Sequence, residues 1–156
     1  MTGVGLSVYG LTSFVLDRYW LACVNGASMK PTLNPEWGLY GSGRATSRDW
    51  LLIKRVRNHR SELKEDAIVV FVSPEEPKTT AIKRVKALPG HVYQPTRMDM
   101  NGTPFKPPAR SIPRGHIWVE GDNQASSVDS NNYGPIPMGL VQGKAVCVLY
   151  PKFKWL

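Results

Sequence analysis

Short segments of β-branched and aromatic residues, separated by turn-forming residues, constrain this chain more than any other feature of its sequence. The segments are AIVVFV at 67–72, TAIKRVKAL at 80–88, HIWVEG at 116–121 and KAVCVLY at 144–150. Such side chains favour strands, and the chain's 13 prolines and 14 glycines favour frequent turns between them. The pattern predicts a mainly β fold of antiparallel sheets that form a partly closed, barrel-like core.

Two stretches interrupt this pattern. Residues 41–64 are polar and basic, and we expect them to leave the sheet as an excursion. Residues 95–115 are rich in proline and are predicted to form a long loop or an edge hairpin. A length of 156 residues suits one compact domain.

The amino terminus is apolar. Residues 1–16 carry no charged side chain. A helix of that length spans about 24 Å, short of a ~30 Å hydrocarbon core, whereas a helix extended to Val24 is long enough. We therefore expect a helical membrane anchor of marginal length at 1–24, followed by the folded domain at 25–156. A helix or strand packed on the domain is the alternative.

The segment TAIKRVKAL places a lysine on an apolar strand face. With a period of two, Ala81, Lys83, Val85 and Ala87 share one face, which is the better candidate for the core. A buried ammonium without a partner is costly, so burial lowers the lysine pKa from its usual ~10.4 and favours the neutral amine. A neutral amine can serve as a general base. A surface lysine whose stem lies along the protein is the alternative.

The sequence NGASMKPTLNP offers a group that such a base could activate. Small residues precede Ser28 and Pro31 follows it, which suits a nucleophile presented at the edge of a groove. An ordinary turn serine is the alternative.

The polar run GDNQASSVDSNNYGP at 121–135 follows an apolar strand. Its spacing does not match a calcium loop. We expect it to form a hydrogen-bonded network in which Ser127 donates to the lysine amine and Asp129 pairs with an arginine. The two cysteines and three histidines lack metal-ligand spacing, so neither a metal nor another cofactor is expected, while a disulfide between Cys23 and Cys147 stays open.

Together, these segments resemble the boxes of the signal peptidase I type serine proteases, which use a Ser/Lys dyad. In family order, the boxes are SMKPTL at 28–33, EDAIVVF at 65–71, IKRVKALPG at 82–90 and GDNQASSVDSNNYG at 121–134. The resemblance covers about residues 20–142, and the likeness is greatest to the mitochondrial inner membrane peptidases. It implies antiparallel sheets around a catalytic core and an amino-terminal anchor in the mitochondrial inner membrane. It also implies a catalytic domain that faces the intermembrane space and removes presequences there, together with a second peptidase subunit.

The resemblance also implies roles for individual residues. Ser28 would be the nucleophile, Lys83 the general base, and Ser127 the partner of the lysine amine. Gly26 stands where bacterial relatives often have a hydroxyl that binds the oxyanion. Asn131 stands where many members have arginine.

Because that arginine is missing, Asp129 would need Arg84 as its ion partner. An extended precursor polypeptide would bind as an added strand. Met29, Leu33 and Ile82 are candidates for lining its side-chain pockets, and each is equally well explained as a core residue.

The net charge of +8 supports a reading from another class, a basic β-barrel module that binds nucleic acid. That reading does not explain a lysine on an aliphatic strand face. A non-catalytic subunit of a peptidase complex is a third possibility. We expect the peptidase, with no nucleic-acid partner.

Overall fold

The structure is a computed structural model that describes residues 17–36, 48–98, 101 and 103–156. Most of the predicted anchor, residues 1–16, lies outside this range.

The described residues form twelve strands and two short α-helices. The strands are β1 Tyr19–Cys23, β2 Trp50–Arg55, β3 Ile68–Val72, β4 Thr80–Ala87, β5 Val92–Tyr93, β6 Arg97–Met98, β7 Pro104–Phe105, β8 Arg110–Ser111, β9 His116–Glu120, β10 Ile136–Pro137, β11 Val141–Tyr150 and β12 Lys154–Trp155. The helices are α1 His59–Glu62 and α2 Ser130–Tyr133, and 3₁₀ turns lie at Gln124–Ser126 and Met138–Leu140.

One antiparallel sheet dominates the fold. In the described part of the chain it has eight strands, in the order β1–β2–β11–β3–β4–β9–β10, with β12 paired to β11. The sheet curls into a half barrel, so the mainly β prediction is confirmed. Each of the four segments that predicted the fold contributes a strand to this sheet, because their β-branched and aromatic side chains pack well on a pleated surface.

The core lies inside the curl. Strand β4 buries Lys83, Val85 and Ala87, as its alternation predicts. Val85 packs in a cluster with residues of β3 and β9, including Phe71 and Val119. A second buried cluster joins the loop after β1 to strands β2, β3 and β11. Lys83 therefore lies on a strand whose other core-facing residues, Val85 and Ala87, are buried.

Several local expectations need correction. Residues 50–55 are not part of an excursion but form β2, which pairs with both β1 and β11. Residues 19–23, assigned above to the anchor helix, form strand β1. Across the described ranges, none of the helices has the length and apolar character needed to cross a membrane. Cys23 is exposed, Cys147 is buried, and both are free thiols.

Residues 95–115, expected to form a long loop or an edge hairpin, contribute to two short antiparallel ladders that are separate from the main sheet. Strand β6 pairs with β7, and the strands that precede and follow this pair in the chain, β5 and β8, pair with each other.

Candidate active site

Ser28 lies on the loop between β1 and β2. The chain leaves β1, passes through Gly26 at a φ of 95°, and makes a turn in which the Leu33 N–H donates to the Met29 carbonyl at 2.9 Å. A positive φ suits glycine, because it has no Cβ to meet the backbone. Among the described residues, no hydrogen bond from the Ser28 N–H to a backbone acceptor is found.

Lys83 reaches Ser28 from strand β4. Its Nζ lies 2.9 Å from Ser28 Oγ and 3.1 Å from the Ile82 carbonyl oxygen, and the residue is only 5% exposed. Burial lowers the pKa of the Lys83 amine, and the negative charge of nearby Asp129 opposes this shift without reversing it. The site therefore combines a hydroxyl with a buried amine whose pKa is lowered.

Asp129 is buried and accepts four hydrogen bonds. Its Oδ2 accepts from the Ser127 hydroxyl at 2.5 Å and the Gly121 N–H at 2.9 Å. Its Oδ1 accepts from the Asn131 backbone N–H and side-chain amide, both at 3.0 Å. The Ser127 hydroxyl therefore donates to this carboxylate, and its predicted hydrogen bond to the lysine amine is wrong.

Arg84 also has a different partner from the one expected. Its Nε and Nη2 donate to the two carboxylate oxygens of Asp122, at 2.8 and 2.7 Å, and Nη2 also lies 3.4 Å from Thr32 Oγ1. The hydrogen bond with Asp122 raises the pKa of Arg84. Burial would raise the pKa of Asp122, but the hydrogen bonds from Arg84 and Thr32, together with the positive charges of Arg84 and Lys86, outweigh it and lower the pKa. The predicted ion pair between Arg84 and Asp129 is wrong, because Asp122 occupies the guanidinium.

A cavity of about 370 Å³ opens in front of the two central side chains. Its walls are the end of β1 and the following loop on one side and the first half of β4 on the other. The lining residues are Ala22, Cys23, Val24, Asn25, Ser28, Val70, Thr80, Ala81, Ile82 and Lys83.

The three predicted pocket residues separate into two groups. Ile82 lines this cavity. Met29 and Leu33 are 1% and 0% exposed and pack in the core with Leu51 and Ile53. The turn after Ser28 directs both side chains inward, and their assignment to substrate pockets stays a prediction.

The sequence matches the family described as signal peptidase, peptidase S26, over residues 4–109 and 91–150. The chain belongs to the S26 signal peptidase family. It is 42% identical over 137 residues to mitochondrial inner membrane protease subunit 2 of Saccharomyces cerevisiae, covering 86% of this chain and 70% of the relative. It is 37% identical over 143 residues to the protein of the same name from Mus musculus, covering 90% and 73%.

A subunit 1 relative is also similar. Mitochondrial inner membrane protease subunit 1 of Schizosaccharomyces pombe is 34% identical over 164 residues, which cover 100% of this chain and 92% of the relative. The expected likeness to the signal peptidase I type proteases, and among them to the mitochondrial inner membrane peptidases, is confirmed.

Asn131, which the resemblance places where many family members have arginine, bridges two buried carboxylates. Its side-chain amide donates to both Asp129 Oδ1 at 3.0 Å and Glu120 Oε1 at 3.1 Å, and the Trp118 indole N–H donates to the same Glu120 oxygen at 2.8 Å. A neutral amide thus bridges two buried carboxylates where an arginine would supply a positive charge.

Sequence reasoning missed the residues that hold the Ser28 loop against the polar run. The Asn123 backbone N–H donates to the Ser28 carbonyl at 2.9 Å, and its side chain donates to the Ala27 carbonyl at 3.1 Å. A Cβ on Gly121 would collide with the Ser127 side chain and the Ser28 carbonyl oxygen. The tripeptide Gly121-Asp122-Asn123, directly after β9, was the sequence feature that could have indicated these contacts. Gly121 and Asn123 lie against the Ser28 loop, and Asp122 binds Arg84 on β4.

Proposed function

We propose that this S26 peptidase is a serine endopeptidase in which Ser28 is the nucleophile and neutral Lys83 is the general base. The observation that carries the proposal is the 2.9 Å separation of Ser28 Oγ and Lys83 Nζ, with the amine buried and its pKa lowered. A base must lie within hydrogen-bonding distance of the proton that it removes, and it must hold a free electron pair.

The reaction is acyl transfer. Lys83 takes the Ser28 proton while Oγ attacks the scissile carbonyl carbon, and the Ser28 N–H stabilises the oxyanion. The protonated lysine then gives its proton to the departing amine as the peptide bond breaks. Water, deprotonated by the same amine, attacks the acyl-serine ester; the ester bond then breaks, the lysine proton returns to Ser28 Oγ, and the second product leaves. Gly26 offers no side-chain donor for the oxyanion.

The substrate is an extended segment of a precursor polypeptide that adds as a strand to β4. Strand β9 pairs with β4 only from Arg84 onward, so among the described residues Thr80–Lys83 have no strand partner on the side away from β3. Main-chain hydrogen bonds along such an edge give affinity, and the small side chains around the cavity give selectivity. Ile82 lines the cavity and directly precedes the base, Lys83, in the sequence.

The names of the relatives support a cellular location for this chain and a partner subunit. Relatives from yeast and mouse are named as subunits of a mitochondrial inner membrane protease. We place this chain at the mitochondrial inner membrane, with the catalytic domain facing the intermembrane space. There it removes sorting presequences in a complex with a second peptidase subunit.

Replacement of Ser28 tests the proposal. The chain is assembled with its partner subunit, and cleavage of a presequence peptide is followed by mass spectrometry. Ser28→Ala and Lys83→Arg are expected to abolish cleavage, since a guanidinium does not release its proton, while Ser111→Ala on exposed strand β8 keeps the parent rate. Wild-type activity is expected to increase with pH through the lowered lysine pKa. Cleavage by Ser28→Ala at the parent rate would assign catalysis to the other subunit and contradict the proposal.

A further inference from the structure

The side chain of Asn34 takes the place of a peptide group between the end of β1 and the start of β2. The Val24 N–H donates to the Asp49 carbonyl at 2.9 Å, as in an antiparallel ladder. The return bond, from the Asp49 N–H to the Val24 carbonyl, is replaced by the Asn34 carboxamide. Its Oδ1 accepts from the Asp49 N–H at 2.8 Å, and its Nδ2 donates to the Val24 carbonyl at 3.0 Å.

The carboxamide makes a further contact nearer to the nucleophile. Nδ2 also lies 3.2 Å from the carbonyl oxygen of Gly26, two residues before Ser28. The Asp49 carboxylate completes the arrangement, since its Oδ2 accepts from the Asn34 backbone N–H at 2.8 Å. Asn34 and Asp49 are 1% and 6% exposed, so water does not compete for these bonds.

The backbone at Asn34 matches this role. Its φ is 49°, in the left-handed region that asparagine adopts more readily than most residues with a Cβ. This conformation lets the side chain turn back between the two strands, while the chain continues to Pro35. The segment from Val24 to Asn34 is thereby closed into a loop with Ser28 inside it.

We infer that Asn34 is a positioning residue for the reaction: its carboxamide fixes the carbonyls of Val24 and Gly26 and so sets the position of Ser28 relative to Lys83. The inference rests on the proposed function, because it assigns Asn34 to the support of that nucleophile. Small displacements matter here, since a misplacement of about 1 Å at a reacting group can slow a reaction about a hundredfold.

Two variants separate the carboxamide from the backbone conformation. Asn34→Gly removes the side chain and tolerates the positive φ without strain. Asn34→Asp has nearly the same shape and keeps the acceptor for the Asp49 N–H, but it removes both donors and places a carboxylate against two carbonyl oxygens. Asp66→Gly is the matched control, because Asp66 has a φ of 64° and its side chain is 79% exposed.

The experiment measures kcat and KM for a presequence peptide with the assembled enzyme, normalised to the folded fraction. Amide hydrogen exchange of residues 24–33 is measured in parallel by mass spectrometry. We expect both Asn34 variants to lower kcat about tenfold to a hundredfold, to leave KM within about twofold, and to exchange faster across this loop. Asp66→Gly should match the wild type in all three quantities.

The outcomes also distinguish this inference from the proposed function. If the wild type cleaves and Asn34→Asp keeps its kcat and its protection from exchange, the positioning role is wrong and the Ser/Lys proposal stands. If kcat per folded molecule is unchanged in Asn34→Gly and only stability falls, Asn34 is purely structural. If Ser28→Ala cleaves as fast as the wild type, the proposed function itself fails. The exchange measurement still reports on the loop in that case.

Discussion

Replacing Lys83 by methionine tests whether the buried amine is neutral in the folded protein. Methionine keeps an unbranched side chain of similar length in the 5%-exposed position but carries no titratable group. It also loses the contacts of the amine with Ser28 Oγ and the Ile82 carbonyl. Those losses shift the free energy of unfolding by an amount that does not depend on pH.

The pH-dependent part follows from the lowered pKa of Lys83. Between the folded-state pKa and the unfolded value of about 10.4, the unfolded chain binds more protons than the folded chain. Within that window, the free energy of unfolding of the wild type therefore rises with pH, by up to about 1.4 kcal/mol per pH unit. The methionine variant lacks this contribution, so its stability relative to the wild type is greatest at low pH and declines through the window.

The assay is urea unfolding of both proteins at a series of pH values from about 6 to about 10. The control is Lys86→Met on the opposite face of β4, which leaves Lys83 in place and should follow the pH dependence of the wild type. A stability difference between Lys83→Met and the wild type that stays constant across this range would refute the reasoning, because it would mean that folding does not change the protonation of Lys83.

Two further changes test the contacts around the dyad. Arg84→Lys keeps the charge but loses the paired hydrogen bonds to Asp122 at 2.8 and 2.7 Å, so urea unfolding should show a loss of about 1–3 kcal/mol. Unchanged stability would mean that the ion pair adds nothing to the fold. Gly121→Ala places a methyl group against the Ser127 side chain and the Ser28 carbonyl, so kcat should fall at least about tenfold; a parent-like kcat would show that the loop yields without disturbing Ser28.

The burial of Lys83 could be predicted because strand alternation is a local property. With a period of two, the side of β4 that carries Val85 and Ala87 also carries residue 83, whatever lies around the strand. The approach of Ser28 is different, since 55 residues separate it from the lysine. The local sequence made Ser28 a candidate for activation by the lysine, and the order of the four boxes was the stronger indication that these two residues meet.

The partner of Arg84 could not be predicted from the same information. Asp122 and Asp129 lie in one polar run, and the pattern does not say which carboxylate the chain directs toward β4. The side chains after Ser28 were ambiguous for a similar reason, because Met29 and Leu33 lie in a turn without strand or helix periodicity. The apolar segment YWLAC was also ambiguous, since a short apolar run does not distinguish a helix from a strand.

The hydrogen-bond partners of the neighbouring carboxylates explain how the pKa of Lys83 can be lowered although Asp129 lies nearby. Asp129 lies close enough to raise the pKa of Lys83, yet its oxygens accept from Ser127, Gly121 and Asn131 instead of from the amine. A direct ion pair with Lys83 would favour the ammonium and remove its basicity. Asp122 is likewise occupied by Arg84. Because each carboxylate has other donors, Lys83 is left with a hydroxyl and a carbonyl as hydrogen-bond partners, and burial determines the direction of its pKa shift.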